Sequence, residues 1–378
     1  MGVTPGASPA TDQSGNSKLA AFRPNTRQRM QKVGTIPASF GATSQTITFP
    51  QVGLMARIFL YANLTVSDAA ASPSVAAVLT GPFNALKRIT GSTNLGTATV
   101  FDLSGYGLFC VNKITDTAVD YKSENTDTTV STTVGASFNL YQYPTAYVQN
   151  VAKPLQFVLI VPVAINDGPQ FSLGLINLQA PEIRFTLSLT FGLASDIYTT
   201  SDTLTLGGNV NVYYEYYEVP NPSQVALPPR LLHRLLEDRT SITATGDTTY
   251  LVPRQGVLLQ QIHNITLNGA LTKNSTDVVG RRLVFNKTDT PYNIDYIVDR
   301  MLARLRYAFP GTVQDVPGGM FIWDFFNGDQ APTRGDLRDA IDTEALSTLE
   351  SVVTIASGAT LGAGNNFLDT IRRITQQY

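Results

Sequence analysis

Residues 50–66 read PQVGLMARIFLYANLTV, and residues 253–267 read PRQGVLLQQIHNITL. Each stretch opens with a proline, reaches a glycine three residues later and continues into a long run that is typical of a β-strand and contains Asn-x-Thr. A second pair of similar stretches follows in the same order, INLQA at 176–180 and IDTEA at 341–345. Each similarity is weak by itself, but their repeated order predicts two copies of one β-unit.

The composition of the chain is typical of an all-β protein. The 378 residues are 43% hydrophobic and 15% charged, with a formal net charge of −2. These values exclude a disordered chain and a protein that packages nucleic acid through bulk positive charge. The 29 glycines and 21 prolines separate short runs rich in Val, Ile, Thr, Tyr and Phe, as expected for strands joined by turns. At about 150 residues per domain, the length allows two or three domains.

The pattern divides the chain into four segments. Residues 1–40 are predicted to form an N-terminal arm, 41–220 a first β-sandwich, 221–240 a linker with a short helix, and 241–378 a second β-sandwich with a C-terminal helix. The linker contains PNPSQVALPP at 220–229, whose prolines cannot pair regularly in a sheet. The apolar stripe of the short helix would consist of Leu231, Leu232, Leu235 and Leu236.

A longer helix is predicted inside the second sandwich, over residues 293–307. Its apolar residues recur at helical spacing. They are Ile294, Ile297, Val298, Met301, Leu302 and Leu305. Asp295 and Asp299 lie early in this segment, and Arg304 and Arg306 lie late, as the helix dipole prefers.

The sequence offers little material for catalysis or metal binding. Cys110 is the only cysteine, so neither a disulfide framework nor a thiolate cluster can form within one chain. His233 and His263 are the only histidines, and they lie in unrelated contexts. No glycine-rich loop ends in Gly-Lys-Ser or Gly-Lys-Thr, so a phosphate-binding loop is missing. We therefore expect no cofactor, no metal site and no enzymatic activity.

Two alternatives remain open at this point. A carbohydrate-binding or carbohydrate-cleaving sandwich would need facing carboxylates or exposed aromatic rings. The acidic residues nearest to predicted strands are Glu182, Asp324, Glu344 and Glu350. A secreted adhesin would use Arg334-Gly-Asp336, but residues 1–16 contain no apolar stretch of the kind found in a secretion signal. Trp323, the only tryptophan, is expected to pack in the core or at a subunit contact.

The predicted arm contains a basic segment. Its positively charged residues are Lys18, Arg23, Arg27, Arg29 and Lys32, and no acidic residue lies between positions 18 and 32. The segment is either a solvated tail or an extended arm that becomes ordered against an anionic surface or a neighbouring subunit.

Seven short motifs occur in a characteristic order along the chain. They are FPQVGLMAR at 49–57, GPFNALKR at 81–88, DLSGY at 102–106, LVPR at 251–254, FIWDFF at 321–326, RDAID at 338–342 and LESVVTI at 349–355. Together they resemble the double jelly-roll major capsid proteins of tailless icosahedral double-stranded DNA viruses. The chain is most similar to those of tectivirus-like phages that enclose a membrane.

This resemblance implies an all-β fold of two tandem eight-stranded jelly-roll sandwiches, with a few short helices and an extended N-terminal arm. It implies homotrimers that form pseudo-hexagonal capsomers and tile an icosahedral shell in the virion after assembly in the host cytoplasm. The implied partners are copies of the chain itself, neighbouring capsomers, penton and minor capsid proteins and anionic lipid, without sequence-specific nucleic acid. The arm and tail would lie at the inner side. There the basic arm residues, together with Arg372 and Arg373 of the C-terminal helix, would contact membrane or neighbours.

Overall fold

The computed structural model describes residues 26–41, 43–70, 80, 82–94, 98–115, 141–142, 148–167, 171–198, 203–219, 231–272, 276–307, 319–325, 340–362 and 364–377. The strands of the first half are β1 (Arg27–Pro37), β2 (Gln45–Thr48), β3 (Leu54–Asp68), β4 (Leu86–Thr93), β5 (Thr99–Leu103), β6 (Tyr141–Gln142), β7 (Lys153–Pro162), β8 (Ile165–Asp167), β9 (Phe171–Leu173), β10 (Ile176–Asn177), β11 (Phe185–Phe191) and β12 (Leu204–Glu218). Helix α1 (Gly105–Thr115) follows β5, and short 3₁₀ turns cover Pro82–Ala85 and Ala194–Asp196.

The second half repeats this arrangement of strands and helix. Its strands are β13 (Leu231–Ser241), β14 (Gly246–Leu251), β15 (Val257–Leu267), β16 (Ala270–Leu271), β17 (Val278–Phe285), β18 (Asp289–Asp295), β19 (Met320–Asp324), β20 (Ile341–Asp342), β21 (Leu349–Ile355) and β22 (Phe367–Gln377). Helix α2 (Tyr296–Tyr307) follows β18 as α1 follows β5.

Each half is an eight-stranded jelly roll built from two facing four-stranded sheets. In the first roll the hydrogen-bonded strand orders are β1-β12-β3-β7 and β2-β11-β4-β5. In the second roll they are β13-β22-β15-β19 and β14-β21-β17-β18. The two sets match strand for strand in chain order, so the predicted duplication and the predicted fold are confirmed.

The stretches at 50–66 and 253–267 occupy equivalent positions in the two rolls. Gly53 and Gly256 both adopt a positive φ, 72° and 65°, which glycine adopts without the strain of a side chain. Ala56 and Leu259 then form equivalent bulges, because the pairing of each strand with its neighbour shifts by one residue there. The Asn-x-Thr similarity is offset, since Asn63 lies ten residues beyond its glycine and Asn264 lies eight.

The second pair of similar stretches is also equivalent in space. Ile176 of β10 pairs with Met55 of β3, and Ile341 of β20 pairs with Leu258 of β15. Met55 and Leu258 each lie two residues after the repeated glycine. The weak sequence similarities therefore report a true structural repeat.

Alternating apolar residues build the core between the two sheets of the first roll. The inward side chains of β3 are fully buried, and they are Ile58, Leu60, Ala62, Leu64 and Val66. The apolar face of β11, Phe185, Leu187, Leu189 and Phe191, is buried opposite them. Burial of each large side chain stabilises the fold by about 1.5–3 kcal/mol.

The predicted arm is partly wrong, because residues 27–37 form strand β1 of the first roll. β1 pairs antiparallel with β12 along the edge of its sheet. Residues 27–32 are all exposed, so β1 lacks the alternation of apolar and polar side chains that reveals a half-buried strand. The boundary of the first roll therefore lies near residue 27 rather than 41, and residues 1–25 lie outside the described part.

Two predicted helices in the second half are strands. Leu231–Ser241 is β13, and the predicted C-terminal helix is β22, which lies between β13 and β15. β22 is covered on both faces, since Ile371 packs into the first roll's cluster and Leu368 and Ile374 pack into the second roll's cluster. A strand that is buried on both faces is apolar throughout, and its sequence resembles that of a buried helix.

The two true helices also differ from expectation. The apolar segment Tyr106–Val111, for which no helix was predicted, lies in α1. The helix predicted over 293–307 is confirmed with a later start, at Tyr296, because 293–295 belong to β18. Its buried residues are Tyr296, Asp299, Arg300, Ala303 and Tyr307 rather than the apolar stripe.

In the described part of the chain, no helix combines the length and hydrophobicity needed to cross a membrane. The predicted linker sequence at 220–229 and the Arg334-Gly-Asp336 triplet lie outside the described residues.

Candidate assembly surfaces

The two rolls share a continuous sheet. β5, at the edge of the first roll, pairs in parallel with β13, the first strand of the second roll. Phe101 lies opposite Leu235, and Asp102 lies opposite Leu236. This pairing covers an edge strand of each roll.

A buried carboxylate lies across this junction. Ser104, directly after β5, donates hydrogen bonds from its backbone N–H and from its hydroxyl to Glu237 of β13, with 2.9 Å between the hydroxyl and Oε1. Burial, with the nearby charge of Asp369 as a second cause, raises the pKa of Glu237 to about 7. Burial in the junction therefore favours the protonated form of this carboxyl group.

Helix α1 packs across the same junction. A side chain at Gly107 would collide with the carboxylate of Glu237, so the helix approaches β13 closely. The Cys110 thiol donates to Oδ1 of Asn264 on β15 at 3.4 Å. Burial raises the pKa of this thiol well above its ordinary value. The α1 helix of the first roll is thus covered by the second roll.

A cleft of about 670 Å³ opens between the two rolls. The lysine and two arginines in its wall are each paired with an aspartate. The pairs are Lys87 with Asp196 at 3.0 Å, Arg88 with Asp102 at 2.6 Å and Arg239 with Asp369 at 2.8 Å. Within each pair the opposite charges neutralise one another.

The basic residues predicted to contact a membrane or a neighbour fall into three groups. Lys18 and Arg23 lie outside the described residues. Arg27, Arg29 and Lys32 lie exposed on β1. Arg29 Nε is 2.5 Å from Oε2 of Glu218, and the Lys32 ammonium lies 6.0 Å from the centre of the Tyr213 ring. This part of the predicted basic segment is therefore the edge of a sheet.

The third group, Arg372 and Arg373, is enclosed by the protein, contrary to expectation. Arg372 Nη2 donates to Asp238 at 2.7 Å, and Arg373 Nε donates to Nε2 of His233 at 2.9 Å. The side chains are only 3% and 8% exposed, and burial lowers the pKa of Arg373 to about 10. Neither guanidinium is available for a membrane, because the tail is a central strand.

Both histidines are buried structural groups. His263 Nε2 lies 2.9 Å from the Ser351 hydroxyl, but the other ring nitrogen faces Thr370 at 3.2 Å instead of a carboxylate. Burial lowers the pKa of His263 and His233 well below the ordinary value. The Ser–His pair lacks the orienting acid of a hydrolase and is shielded from solvent.

The acids considered for carbohydrate cleavage are dispersed. Asp324 accepts a hydrogen bond from Gln260 at 3.1 Å, and Glu344 accepts one from the backbone of Gly256 at 3.0 Å. Glu182 lies in an exposed turn and Glu350 on β21. Trp323 is buried in the core, as expected, 4.2 Å from the Arg281 guanidinium. Among the described residues, no three His, Cys, Asp or Glu side chains group closely enough to hold a metal ion.

An exposed apolar face on α2 is the clearest surface that the sequence reasoning missed. Ile297, Val298, Met301, Leu302 and Leu305 are 43–77% exposed. The opposite face of α2 carries Asp299, which forms a buried ion pair with Arg281 of β17. The helical spacing was visible in the sequence, but spacing alone does not tell which face meets the core.

The fold is shared with viral capsid proteins of known structure. The crystal structure of the STIV MCP, from Sulfolobus Turreted Icosahedral Virus, is 13% identical and superimposes with a TM-score of 0.64 over 92% of this chain and 96% of its own. A quasi-atomic model of the PBCV-1 virus capsid gives 10% identity and a TM-score of 0.61 over 94% and 95%. The Faustovirus major capsid protein gives 10% and 0.52 over 95% and 91%. This chain has the double jelly-roll fold of major capsid proteins. At these identities the likeness is one of fold, and no family model and no curated protein matches the sequence.

The double jelly roll makes each surface of one half the counterpart of a surface in the other. β1 is the counterpart of β13, and β18 with α2 is the counterpart of β5 with α1. The surfaces formed by β13 and by β5 with α1 meet within the chain. Their counterparts, β1 and β18 with α2, are exposed. The contrast between RQRMQK at 27–32 and LLHRLL at 231–236 is the sequence signal of this difference.

Proposed function

We propose that this chain is a major capsid protein whose homotrimers form pseudo-hexagonal capsomers of an icosahedral virion shell. The observation that supports the proposal is the duplication, two jelly rolls with identical strand order joined side by side in one chain. Three such chains place six similar sandwiches around one axis, so a threefold object presents an approximately sixfold outline. The low charge of the chain suits extensive contacts between copies.

The proposed partners follow from this role. They are copies of the chain, neighbouring capsomers and the penton and minor capsid proteins that complete a shell, without sequence-specific nucleic acid. The proposed location is the virion, reached after assembly in the cytoplasm of a bacterial host. The buried hydrogen-bonding of both histidines, and the dispersal of the acids, favour a structural role over hydrolysis.

The shell is proposed to enclose a membrane that the N-terminal segment contacts. This part of the proposal rests on Lys18 and Arg23 of residues 1–25. Each basic residue near an anionic surface contributes about 1 kcal/mol to binding. Arg372 and Arg373 are no longer part of it because they are buried.

Sedimentation velocity of the full chain at micromolar concentration tests the trimer. We expect a single species with three times the mass of the 40.9 kDa chain, and six lobes in negatively stained images. A monomer under these conditions contradicts the proposed function.

Vesicle flotation tests the membrane contact separately. We expect the chain to float with vesicles that contain phosphatidylglycerol and not with pure phosphatidylcholine, and we expect the binding to weaken as salt rises. A variant that lacks residues 1–25 should lose flotation and still sediment as the wild type does. The deletion stops at residue 25, because β1 begins at Arg27. Equal flotation of both proteins excludes the membrane role of the segment.

A further inference from the structure

The junction inside the chain shows how one roll joins the next. β5 pairs in parallel with β13, Ser104 binds Glu237, and α1 lays Gly107 and Cys110 against the second roll. The same three parts recur at the far side of the second roll as β18, Asp295 and α2, where they are exposed.

The strand registers align the two sets residue by residue. Counting from the equivalent bulges at Ala56 and Leu259, through the paired strands, gives the correspondence. In the other sheet of each roll, β11 corresponds to β21 and β4 to β17, and the pairing of β4 with β5 and of β17 with β18 then aligns β5 with β18. The pairs are Glu237 with Lys32, Leu235 with Met30, Asn264 with Tyr61, Phe101 with Tyr292, Ser104 with Asp295 and Cys110 with Met301.

The exposed face of α2 corresponds to the covered face of α1. The five exposed apolar residues of α2 align with Tyr106, Gly107, Cys110, Val111 and Ile114, all of which are buried. The two helices contact equivalent strands of their own rolls, β4 and β7 for α1 and β17 and β19 for α2. They differ in that α1 also contacts β15 of the next roll.

We propose that β18 and α2 of one copy dock on β1 and β3 of a second copy, in the geometry of the junction within the chain. The proposal rests on the trimer proposed above and names the surfaces that form it. Tyr292 then lies beside Met30 of the next copy, and Asp295 faces its Lys32. The apolar face of α2 packs on the outward face of the next copy's β3.

The charges of the two edge strands are complementary. β1 carries Arg27, Arg29 and Lys32 and no acid, whereas β18 carries Asp289 and Asp295 and no base. The Asp295 to Lys32 contact replaces the Ser104 to Glu237 hydrogen bond of the junction within the chain. Opposite charge favours β18 against β1 and disfavours each strand against its own copy.

The receiving surface has the right chemistry for the apolar face of α2. Phe59 and Tyr61 point outward from β3, since the residues that alternate with them are in the core, and both are only half-buried. Phe59 aligns with Ile262, which is 2% exposed and packs against the first roll. Met301, aligned with Cys110, then meets the ring of Tyr61, a favourable sulfur–aromatic contact.

The contact is heterologous, because it joins different surfaces of two identical chains. Such contacts close into a ring when the rotation between neighbours allows it and otherwise form open chains. Since the contact repeats the junction within the chain, the rolls of successive copies are related as the two rolls of one copy are. The trimer proposed above is the closed form of this contact, which requires that the relation turn each roll by one sixth of a full rotation to the next.

A charge exchange tests the Asp295 to Lys32 contact, with sedimentation velocity of full-length chains at low salt as the measurement. Lys32→Asp and Asp295→Lys are each expected to weaken association about 10-fold or more, and the double variant K32D/D295K is expected to restore it. Both residues are exposed in the free chain, so neither change disturbs its core. Independent, additive effects in the double variant contradict the contact.

A change on the helix tests the apolar part. Leu305→Asp, at a site that is 77% exposed in the free chain, should raise the dissociation constant about 30-fold or more, as expected when a charge replaces a large apolar side chain that an interface buries. Leu251→Asp is the matched control, because Leu251 is 60% exposed on β14, outside the proposed contact. We expect the control to remain trimeric. Melting curves of both variants should match the wild type at concentrations where all are monomeric.

The outcomes separate the two proposals. A wild-type chain that is monomeric contradicts the proposed function itself. A trimeric wild type whose assembly survives both Leu305→Asp and the single charge changes keeps the function and overturns this interface. Loss of assembly in Leu251→Asp together with Leu305→Asp also overturns it, because the effect would then be unspecific.

Discussion

The carboxylate of Glu237, on the first strand of the second roll, accepts two hydrogen bonds from Ser104, which directly follows β5 of the first roll. It lies at the line where the rolls share a sheet. The junction therefore contains an acid that is nearly fully buried and whose pKa is raised to about 7.

The stability of the chain should fall between pH 4.5 and 7 because of Glu237. Below the ordinary pKa the folded and unfolded chains are both protonated there, and between the two pKa values only the unfolded chain ionises. The raised pKa therefore costs about 3 kcal/mol at pH 8 relative to pH 4. In guanidinium unfolding across this range, Glu237→Gln should remove that slope, and the exposed Glu182→Gln should keep it. A parallel slope in wild type and Glu237→Gln contradicts the assignment.

The repeated glycines should be intolerant of side chains to different degrees. Gly53→Ala and Gly256→Ala each force alanine into a positive φ at a cost of about 1–3 kcal/mol. The new methyl at 53 meets the Tyr216 ring, whereas at 256 it meets the backbone oxygen of Thr375. A ring can move more easily than a strand backbone, so Gly256→Ala should show the larger loss in urea unfolding.

Gly358→Ala serves as the control for these two changes. No atom lies within 4 Å of the position its methyl would take, so the free energy of unfolding should change by less than about 0.5 kcal/mol. An equal loss at 53, 256 and 358 would show that the turn geometry is unimportant.

Removing one charge of the ion pair between Arg281 and Asp299 should lower the free energy of unfolding strongly. Arg281 Nη2 lies 2.7 Å from Asp299 Oδ1, and the two side chains are 0% and 6% exposed. Asp299→Asn leaves a buried positive charge and should destabilise the chain by about 3–5 kcal/mol. The double change Arg281→Met with Asp299→Leu should cost less than the single change.

The neighbouring exposed pair is the control. Arg282 and Asp247 join the same strand to β14 in contact with solvent, so Asp247→Asn should cost about 1 kcal/mol or less in thermal melts. Similar losses for Asp247→Asn and Asp299→Asn would contradict the dependence on burial.

Features with a clear local signal were predictable from the sequence. The duplication was visible in Gly53 and Gly256, because a glycine with positive φ before a long strand leaves the same signature in both halves. The face of β11 was predictable because strict alternation matches a strand with one buried face.

Features that depend on neighbours were not predictable. β22 is buried on both faces over residues 370–375 and β1 is exposed over residues 27–32, so neither shows the period of a half-buried strand. In β13, Leu235 packs into the cluster of the first roll and Leu236 against that of the second, so apolar residues are needed on both of its faces. For the same reason Arg372 was expected at a membrane, although Asp238 across the sheet binds it. For α2 the sequence correctly predicted a helix, but its apolar stripe is exposed. The opposite face is the buried one, because Asp299 pairs there with the buried Arg281.

Cys110 should be inert to thiol reagents while the two rolls remain joined. Its thiol is fully buried against Asn264, which shields it from reagents. Burial also raises its pKa, which lowers the population of the reactive thiolate. Its modification by a chromogenic disulfide at pH 8 should be about 10³-fold slower than in denaturant, which corresponds to an opening free energy of about 4 kcal/mol. Thr249→Cys, at an exposed site on β14, supplies a fast thiol in the same chain as the internal standard. Because α1 is held by the second roll, Asn264→Ala should speed the modification of Cys110 without changing the rate of the standard. Rapid labelling of Cys110 in the native wild type would instead show that the junction between the rolls is open.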